Sequence, residues 1–486
     1  MSPFALAGVL GSLCVPGHRA IFHGVHALRP GCAVRLDVIT GRVDELPWHS
    51  VRAAAIEARR TPFTGTRTEA VRTLSGLVDD AVQRRLASDV PVGVLLSGGV
   101  DSSLVLAGLH RAGASHVKAF TVGFKDPRYD ERSHAREVAR HFNTECIEAE
   151  VDEANLPTLV EAALDCFDEP FADSSAIPTM LVARLARREV GVVLAGDGGD
   201  DLFAGYDRHV RGFGVSRTVG RMPGFVRRAV ARGLTAVPSN RWDDVLTPLE
   251  RMLPGALRRK QRGRLLHKAA TLLRAEDAEE IWRGFYGVWP DPAALIAQLP
   301  SDAWHSAVAR EAHAREHPLP NDEAGYLDEL LLRDQTMYLP DDLLVKLDRA
   351  TMECSLEARE PLLDQRLFEF AWRVPPAWRT KGGVGKSLLR DVLAMRVPAH
   401  IASRPKAGFG VPLRDWLAGP LRDWAESLLG ADCLGAQGIL DSAMVRQAWQ
   451  RCLGGDDSAA SQVWSACVVA RWCQRNGVDA SRVARP

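Results

Sequence analysis

The sequence predicts an α/β fold built on a parallel sheet, and two observations lead to that prediction. Short apolar runs alternate with helical patterns between residues 66 and 200, which is typical of βαβ units. Two of these runs end in Gly-rich turns, VGVLLSGGVDSS and VVLAGDGGDD. Ligands of parallel sheets bind beyond the carboxyl ends of the strands, so both turns are expected at one site.

The elements of this sheet are each predicted from a local pattern of apolar residues. Short apolar runs predict strands over 90–96, 118–124, 145–151 and 190–196. Apolar residues at helical spacing predict helices over 66–86, 102–111, 133–142 and 179–188. Strand and helix therefore alternate regularly along this part of the chain.

The rest of the chain divides by composition. Residues 1–50 are punctuated by Gly and Pro and contain the β-like runs AIFHGV and AVRLDVIT, which predict a short β segment. Residues 51–430 form the main domain, in which 208–320 is predicted as an α-helical insertion rich in arginine, as in LRRKQRGRLLHK. We interpret these arginines as solvated helix faces, because interleaved aromatics are missing. From residue 323 the pattern is helical to the C-terminus, with 431–486 as a separate helical segment.

Charge and cysteine content argue against several classes of protein. Lys+Arg and Asp+Glu both total 61 in 486 residues, so nothing points to a nucleic acid or an anionic membrane surface as partner. Nine cysteines without a C-x-x-C pair argue against a disulfide framework or a zinc site. We therefore expect reduced thiols and a cytoplasmic protein. No apolar stretch is long enough to span a bilayer.

The first turn, SGGVDSS, has the chemistry of an anion site that also holds a cation. Its glycines expose backbone N–H groups at the start of a helix, where the helix dipole favours negative charge. The predicted donors are Ser97, Gly98, Gly99, Ser102 and Ser103. Asp101 is a poor phosphate ligand but a suitable ligand for Mg²⁺, which takes carboxylate and phosphate oxygens. The loop does not match the Walker phosphate-binding pattern GxxxxGK(S/T).

The second turn, LAGDGGDDLFAGYDRH, holds four carboxylates at the end of another predicted strand. They belong to Asp197, Asp200, Asp201 and Asp207. Like charges repel, so placing them beside a phosphate site requires a divalent cation. The repeated position at strand ends distinguishes Asp197 and Asp200 from acidic residues on a solvated face.

Five blocks in order, the second turn among them, resemble the synthetase domain of the glutamine-dependent (class B) asparagine synthetases. They are FTVGFKDPRYDE, AGDGGDDLFAGYDRH, YLPDDLLVKLDRATMECSLEAREPLLD, GKSLLR and RPKAGFGVPLRDWL. The SGGVDSS loop is similar to the pyrophosphate-binding loop of ATP pyrophosphatases that make acyl-adenylates, and the whole match covers most of residues 60–430. The resemblance implies the ATP pyrophosphatase fold, also called adenine nucleotide alpha hydrolase-like, with ATP and Mg²⁺ as cofactors.

The resemblance also implies a role for each matching residue. The pyrophosphate of ATP is expected at Ser97, Gly98, Gly99, Asp101, Ser102 and Ser103. The adenosine pocket is expected at Leu96, Val122, Ala195 and Gly196. Mg²⁺ is expected at Asp101 and Asp200. Catalytic roles are expected for Asp197 in forming acyl-AMP, for Lys386 in neutralising the phosphates, and for Tyr206.

The block around SLEAREPLLD leaves two questions open. Either a structural ion network or an acceptor-site role would account for four charged residues, Asp348, Arg349, Arg359 and Asp364. Glu360 stands where many relatives carry an apolar residue before Pro361. Its charge near the expected acceptor pocket weakens the case for aspartate as the substrate.

The N-terminal segment departs from the resemblance. Full-length relatives begin with a glutaminase domain whose N-terminal cysteine releases ammonia from glutamine, whereas this sequence begins MSPFALAGVLGSLCVPGHRAIFHGVHALRPGC. The segment resembles the closing strands of such a domain, so residues 1–50 are expected to be its truncated remnant, without glutaminase activity. A separate glutaminase or a homodimer is the expected partner, because missing strands would leave an apolar face exposed.

The favoured function is an ATP-dependent amide-forming ligase, a carbon–nitrogen ligase of the asparagine synthase type. It would activate a carboxylate, aspartate by default, as acyl-AMP and transfer it to ammonia or an amine. A ring-closing or natural-product amide synthetase, which makes lactams or macrolactams on the same scaffold, is the alternative. An inactive partner subunit is a second alternative, and the neutral charge balance argues against a tRNA-modifying enzyme with a similar loop.

Overall fold

A computed structural model of the chain describes residues 1–483 with internal gaps. Within that range the residues not described are 115, 212–221, 238–240, 243–244, 246–261, 276–277, 297–298, 301–322, 406–407 and 409. In the described part of the chain, no helix combines the length and the apolar character needed to cross a membrane.

The N-terminal segment starts with a buried helix, α1 (Pro3–Ser12). Its cap is Ser2, whose hydroxyl accepts a hydrogen bond from the Ala5 N–H at 3.3 Å. The expectation that this stretch forms closing β strands is wrong, because the apolar run is buried on most sides and packs as a helix against the last helix of the chain. A run without a polar face has no periodicity that separates a buried helix from a buried strand.

A β-hairpin follows, in which β1 (Cys32–Leu36) and β2 (Val43–Pro47) are antiparallel. It overlaps the predicted run AVRLDVIT, whereas the run AIFHGV, which is fully described, forms no strand. At the hairpin turn Val38 and Ile39 are 87% and 93% exposed. Two strands without a covering layer are marginally stable alone, so this apolar surface is a candidate interface.

A five-stranded parallel sheet lies at the centre of the main domain. Its strands are β3 (Val92–Leu95), β4 (Lys118–Gly123), β5 (Cys146–Glu150), β6 (Val192–Leu194) and β7 (Glu357–Arg359). Their spatial order is β5-β4-β3-β6-β7, and all neighbours are parallel. The sheet confirms the predicted α/β fold class. Because β3 and β6 are neighbours, their two Gly-rich turns emerge side by side.

Strand β7 contradicts the prediction that the chain is helical from residue 323 onward. Its three residues pair with β6 at the edge of the sheet. So short and polar a segment has no alternating pattern, and its conformation depends on the hydrogen bonds that β6 offers. The pairing brings the residues after β7 next to the Asp-rich turn after β6.

Helices surround the sheet. From residue 51 to residue 202 they are α2 (Val51–Arg60), α3 (Arg67–Arg84), α4 (Val100–Arg111), α5 (Arg132–His141), α6 (Leu156–Asp165), α7 (Ala176–Arg187) and α8 (Gly199–Leu202). The described part of the predicted insertion contains α9 (Gly224–Ala236), α10 (Arg262–Arg274) and α11 (Ala278–Tyr286). The rest of the insertion, including the start of its basic stretch at 257–261, lies outside the described residues.

The C-terminal part is mainly helical. Its helices are α12 (Glu323–Arg333), α13 (Leu344–Met352), α14 (Gln365–Arg373), α15 (Ser387–Ala394), α16 (Ala399–Ala402), α17 (Leu413–Ala418), α18 (Arg422–Leu429), α19 (Ser442–Leu453) and α20 (Asp457–Arg475). A π-helical segment, Asp334–Leu343, links α12 to α13. Such segments are frequent at functional sites.

Two apolar cores lie on the two faces of the sheet. One contains Leu96 and Leu194 with helices α3, α4 and α15. The other contains Val122 and Val193 with helices α1, α7 and α20. Successive residues of a strand face opposite sides, so Val193 and Leu194 belong to different cores. Burial on both faces is usual for parallel sheets.

Candidate active site

The turn after β3 is a tight loop held by its own serines. The Ser97 N–H donates to Ser102 Oγ at 3.3 Å, and the Gly99 N–H donates to Ser97 Oγ at 3.2 Å. Gly98 has a φ of +77°, and a Cβ there would lie 2.5 Å from the backbone carbon of His134, so glycine is required. The loop leads into α4 with Gly99 as the N-cap. The predicted phosphate donors therefore lie together at the start of a 12-residue helix.

The turn after β6 lies directly against this loop. A Cβ on Gly196 would lie 2.8 Å from the backbone nitrogen of Ser102, and one on Gly199 would lie 2.4 Å from Oδ1 of Asp101. The absence of side chains lets the two turns touch. The short helix α8 then carries Asp200 towards the loop. The two turns form one site, as the order of the strands predicts.

Lys386 joins the two turns through an ion pair with each. Its Nζ contacts Oδ2 of Asp101 and lies 2.7 Å from Oδ1 of Asp200. Burial by itself would lower the pKa of Lys386, but the two carboxylates outweigh it and raise the pKa above its ordinary value. A charged, buried ammonium therefore occupies the point where the two turns meet.

An unusual backbone conformation and a nearby glycine allow Lys386 to contact both aspartates. Lys386 has a φ of +58°, which is unfavourable for a residue with a Cβ, and its N–H donates to the Phe203 carbonyl at 2.9 Å. Gly205 provides the space, because a Cβ there would lie 1.8 Å from Oδ1 of Asp200 and 2.2 Å from Cε of Lys386. Sequence reasoning missed Gly205, although it lies in the block LFAGYDRH.

The site fits Mg²⁺ held jointly by protein and phosphate oxygens. Asp101 and Asp200 approach one ammonium from two turns, so they are close enough to share a cation. Mg²⁺ is usually bound by one or two carboxylates plus substrate phosphates. The described residues accordingly contain the carboxylate pair but no cluster of three or more His, Cys, Asp or Glu ligands. The buried Ser103 hydroxyl, which has no hydrogen-bond partner among the described residues, is a further donor for phosphate.

A second buried ammonium, that of Lys346, lies within electrostatic reach of Asp197. Its Nζ donates to Oδ2 of Asp173 at 2.7 Å and to Oγ of Ser175 at 2.8 Å. Burial raises the pKa of Asp197, and Lys346 partly opposes that shift. Sequence reasoning missed Lys346 and Asp173. The available signal was a single lysine among apolar helical neighbours, namely Leu343, Leu344, Val345 and Leu347.

Tyr206 packs into an aromatic cage around Arg208. Its hydroxyl donates to Oδ2 of Asp201 at 3.3 Å, and the Arg208 guanidinium lies 4.0 Å from its ring centre. Arg208 also lies 4.4 Å from the ring centre of Tyr338 and pairs with the buried Asp334 at 2.7 Å. Burial and then Asp201 raise the pKa of Tyr206 well above its ordinary value. The protonated hydroxyl therefore supports helix α8 through Asp201.

The four residues expected around adenosine do not share one side-chain pocket. Leu96 and Val122, both described, are buried in the two different cores. Ala195 and Gly196 lie at the end of β6, where the Ala195 N–H donates to the Arg359 carbonyl at 2.9 Å. A nucleoside at this edge would therefore meet strand ends and backbone groups.

The four charged residues whose roles were left open divide into separate contacts. Arg349 pairs with Asp348 at 3.0 Å. Arg359 donates to the Arg85 carbonyl at 2.7 Å, and Asp364 accepts from the Arg85 guanidinium at 2.7 Å. Arg359 thus attaches the end of α3 to strand β7, and Asp364 attaches it to the start of α14, which favours the structural interpretation for both.

The last matching block, RPKAGFGVPLRDWL, is described in part. Lys406, Ala407 and Phe409 lie outside the described residues. Arg404 donates to the Gly98 carbonyl at 3.3 Å. This contact attaches the block to the loop after β3.

A known protein family matches most of the chain. The sequence profile described as "Asparagine synthase" matches residues 73–474. The chain belongs to the asparagine synthase family. The resemblance drawn from the sequence blocks is thereby confirmed at the level of the family.

Curated relatives of this asparagine synthase family member include bacterial and fungal proteins. One from Mycobacterium tuberculosis (strain ATCC 25618 / H37Rv), with the name "Putative asparagine synthetase" (glutamine-hydrolyzing), is 28% identical over 475 residues, which cover 94% of this chain and 65% of the relative. "Asparagine synthetase 1" (glutamine-hydrolyzing) of Bacillus subtilis (strain 168) is 27% identical over 373 residues, 77% of this chain and 54% of the relative. "Amidase chyE" of Penicillium rubens (strain ATCC 28089 / DSM 1075 / NRRL 1951 / Wisconsin 54-1255) is 24% identical over 481 residues, 90% of this chain and 66% of the relative. The chain thus spans from 54% to 66% of the length of these relatives.

Proposed function

We propose that this chain is an ATP-dependent amide-forming ligase. It activates a carboxylate as an acyl-adenylate with release of pyrophosphate, and then transfers the acyl group to ammonia or an amine with release of AMP. The proposal rests on the ion pairs that Lys386 forms with Asp101 and Asp200, which follow the ends of two neighbouring parallel strands. Membership of the asparagine synthase family supports the same reaction class.

The loop after β3 is proposed to hold the phosphates of ATP. Backbone N–H groups at the start of α4 and the hydroxyls of Ser97, Ser102 and Ser103 donate to phosphate oxygens. Asp101 and Asp200 would hold Mg²⁺, which when bound screens the charge of the phosphates. Adenosine is proposed to lie against the strand ends, at Leu96, Val122, Ala195 and Gly196.

Lys386 is proposed to act on the charge that develops during adenylation. Attack of a carboxylate on the α-phosphorus brings two anions together, so a fixed positive charge lowers the barrier. If Asp101 and Asp200 held Mg²⁺, the ammonium of Lys386 would be available to the phosphates. Asp197, beside Lys346, is proposed to act on the acyl side of the reaction.

Two substrate classes are compatible with the scaffold. Aspartate with ammonia is the default and would yield asparagine. A substrate that closes a lactam or macrolactam ring with its own amine is favoured by one observation, the acidic surroundings of the acceptor side. Asp348 and Asp197 both act electrostatically on Glu360 there, and such surroundings disfavour a second carboxylate on the substrate. An inactive partner subunit is the remaining alternative.

The first half-reaction tests the proposal without knowledge of the nitrogen donor. ATP–pyrophosphate exchange is measured with Mg²⁺ and aspartate, and then with amino acids that carry an internal amine. We expect exchange that depends on the acid and falls by about a hundredfold or more in Lys386→Met. The exposed Lys381, in the same segment, supplies the matched control Lys381→Met, which should retain exchange. No exchange with any acid would favour the inactive-subunit alternative.

A further inference from the structure

Glu360 follows β7 at the edge where the Asp-rich turn also lies. Strand pairing fixes this position, because the Ala195 N–H donates to the carbonyl of Arg359 at 2.9 Å. The next residues pack onto the same turn, and a Cβ on Gly198 would lie 2.3 Å from Cδ2 of Leu363. Glu360 is therefore held by backbone contacts beside the acyl side of the proposed site.

Glu360 is half-buried, and no cation pairs with its carboxyl group in the described part of the chain. The charged groups that face it are Asp197 after β6, Asp348 on α13 and Arg85 at the end of α3. Arg85 is engaged by Asp364 at 2.7 Å. Burial and then Asp197 raise the pKa of Glu360 to about 7. The group therefore gains and loses its proton near neutral pH.

The acyl-transfer step requires a proton acceptor that the other acidic residues of the site do not supply. Asp101 and Asp200 are engaged by Lys386 and are the proposed metal ligands. Asp197 interacts electrostatically with the ammonium of Lys346 and is already assigned to formation of the acyl-adenylate. A general base is most effective when its pKa lies near the operating pH. Glu360 combines that property with a place next to the acyl side of the site.

We propose that Glu360 accepts the proton released by the nitrogen nucleophile during acyl transfer, an inference that rests on the proposed function. The neutral nitrogen of ammonia or an amine attacks the acyl carbon, and the carbon–nitrogen bond forms. The surplus proton on nitrogen passes to the Glu360 carboxylate. The bond between the acyl carbon and the AMP oxygen breaks, and AMP leaves with the electron pair. Solvent takes the proton from Glu360 before the next turnover.

The test compares two nitrogen nucleophiles in Glu360→Gln, using the full chain with ATP, Mg²⁺ and aspartate. Ammonia depends on a base to remove its proton, whereas hydroxylamine is a weaker base and a strong nucleophile that depends on it less. We expect amide formation from ammonia to fall by about a hundredfold or more and hydroxamate formation to fall far less. When rates are expressed per concentration of unprotonated ammonia, the rising limb of the wild-type pH profile near neutrality should disappear in Glu360→Gln.

Two further variants distinguish a proton-accepting role of Glu360 from a structural one. Glu360→Asp keeps a carboxylate one methylene shorter and should retain the rising limb at a lower rate. Glu357→Gln removes an exposed carboxylate, paired with Arg359 at 2.6 Å on the same strand, and should leave the ratio of amide to hydroxamate unchanged.

The outcomes separate this inference from the proposed function. If wild-type protein releases no pyrophosphate from ATP with aspartate, the proposed function with this acid is wrong and the role of Glu360 falls with it. If wild-type protein is active and Glu360→Gln slows both nucleophiles equally, or keeps the wild-type pH profile, the inference about Glu360 alone is wrong.

Discussion

Replacing Lys386 by methionine removes the ammonium that Asp101 and Asp200 share. The side chains of the three residues are 8%, 15% and 19% exposed, so the ion cluster is largely excluded from water. Methionine has a similar length and cannot carry charge. Two largely buried carboxylates would then face each other without that ammonium, and the Arg390 guanidinium, which also interacts electrostatically with both, would remain.

The magnitude follows from the cost of leaving a buried charge uncompensated. Removing one partner of a buried ion pair destabilises a protein by about 3–5 kcal/mol. We expect a loss of that order in the free energy of unfolding at neutral pH. Because two adjacent carboxylates bind a proton more tightly when folded, the loss should shrink as the pH falls into the ordinary range of carboxyl titration.

Urea unfolding followed by circular dichroism measures this loss, with and without Mg²⁺. Mg²⁺ should stabilise Lys386→Met more than the wild type, because the divalent ion replaces the missing ammonium between Asp101 and Asp200. Lys381→Met, at an exposed position, should change stability by less than about 0.5 kcal/mol. A loss below about 1 kcal/mol in Lys386→Met, or no differential effect of Mg²⁺, would refute the shared-cation account.

Three further predictions concern space, surface and titration. Gly205→Ala should reduce pyrophosphate exchange by about a hundredfold. The control Gly76→Ala, at a position with open space around it, should retain exchange. Equal activity of the two variants would contradict the close approach of Gly205 to Asp200 and Lys386. The exposed hairpin should drive self-association measurable by light scattering, and Ile39→Lys should weaken it; a wild-type chain that stays monomeric at all concentrations would rule this out. The folded-state pKa of Glu360, about 7, exceeds its ordinary value of 4.5, so the folded protein binds that proton more tightly and loses stability as the pH rises between these values. Relative to wild type, Glu360→Gln should therefore be more stable above neutrality than at acid pH, by up to about 3 kcal/mol in the free energy of unfolding. Urea titrations that give the same difference between variant and wild type at both pH values would exclude this pKa assignment.

The centre of the fold was predictable because its signals are local. Strands β3 to β6 follow local sequence patterns. Strands β3 and β6 stop at Gly-rich turns, and their parallel pairing places both turns at one edge. Asp101 and Asp200 were found for the same reason. Lys386 lies far along the chain, and the resemblance of GKSLLR to a family block was the signal that identified it.

The features that were missed depend on tertiary contacts. Helix α1 is an apolar run without a polar face, which leaves strand and helix equally compatible with its pattern. Strand β7 is three residues long and exists because β6 offers an open edge. Lys346 is recognisable as a site residue only in the folded structure, where its ammonium donates to Asp173 and interacts electrostatically with Asp197. The assignment of residues 1–50 as a domain remnant stays a prediction.

The central claim is that ATP is cleaved to AMP and pyrophosphate as a carboxylate becomes an amide at the Asp101–Asp200–Lys386 cluster. The most direct measurement quantifies pyrophosphate, AMP and amide together, with ATP, Mg²⁺, aspartate and either ammonium or glutamine, in wild type and Asp101→Ala. The account predicts equal amounts of the three products with ammonium and none in Asp101→Ala. Formation of ADP and phosphate instead, or undiminished product in Asp101→Ala, would contradict it.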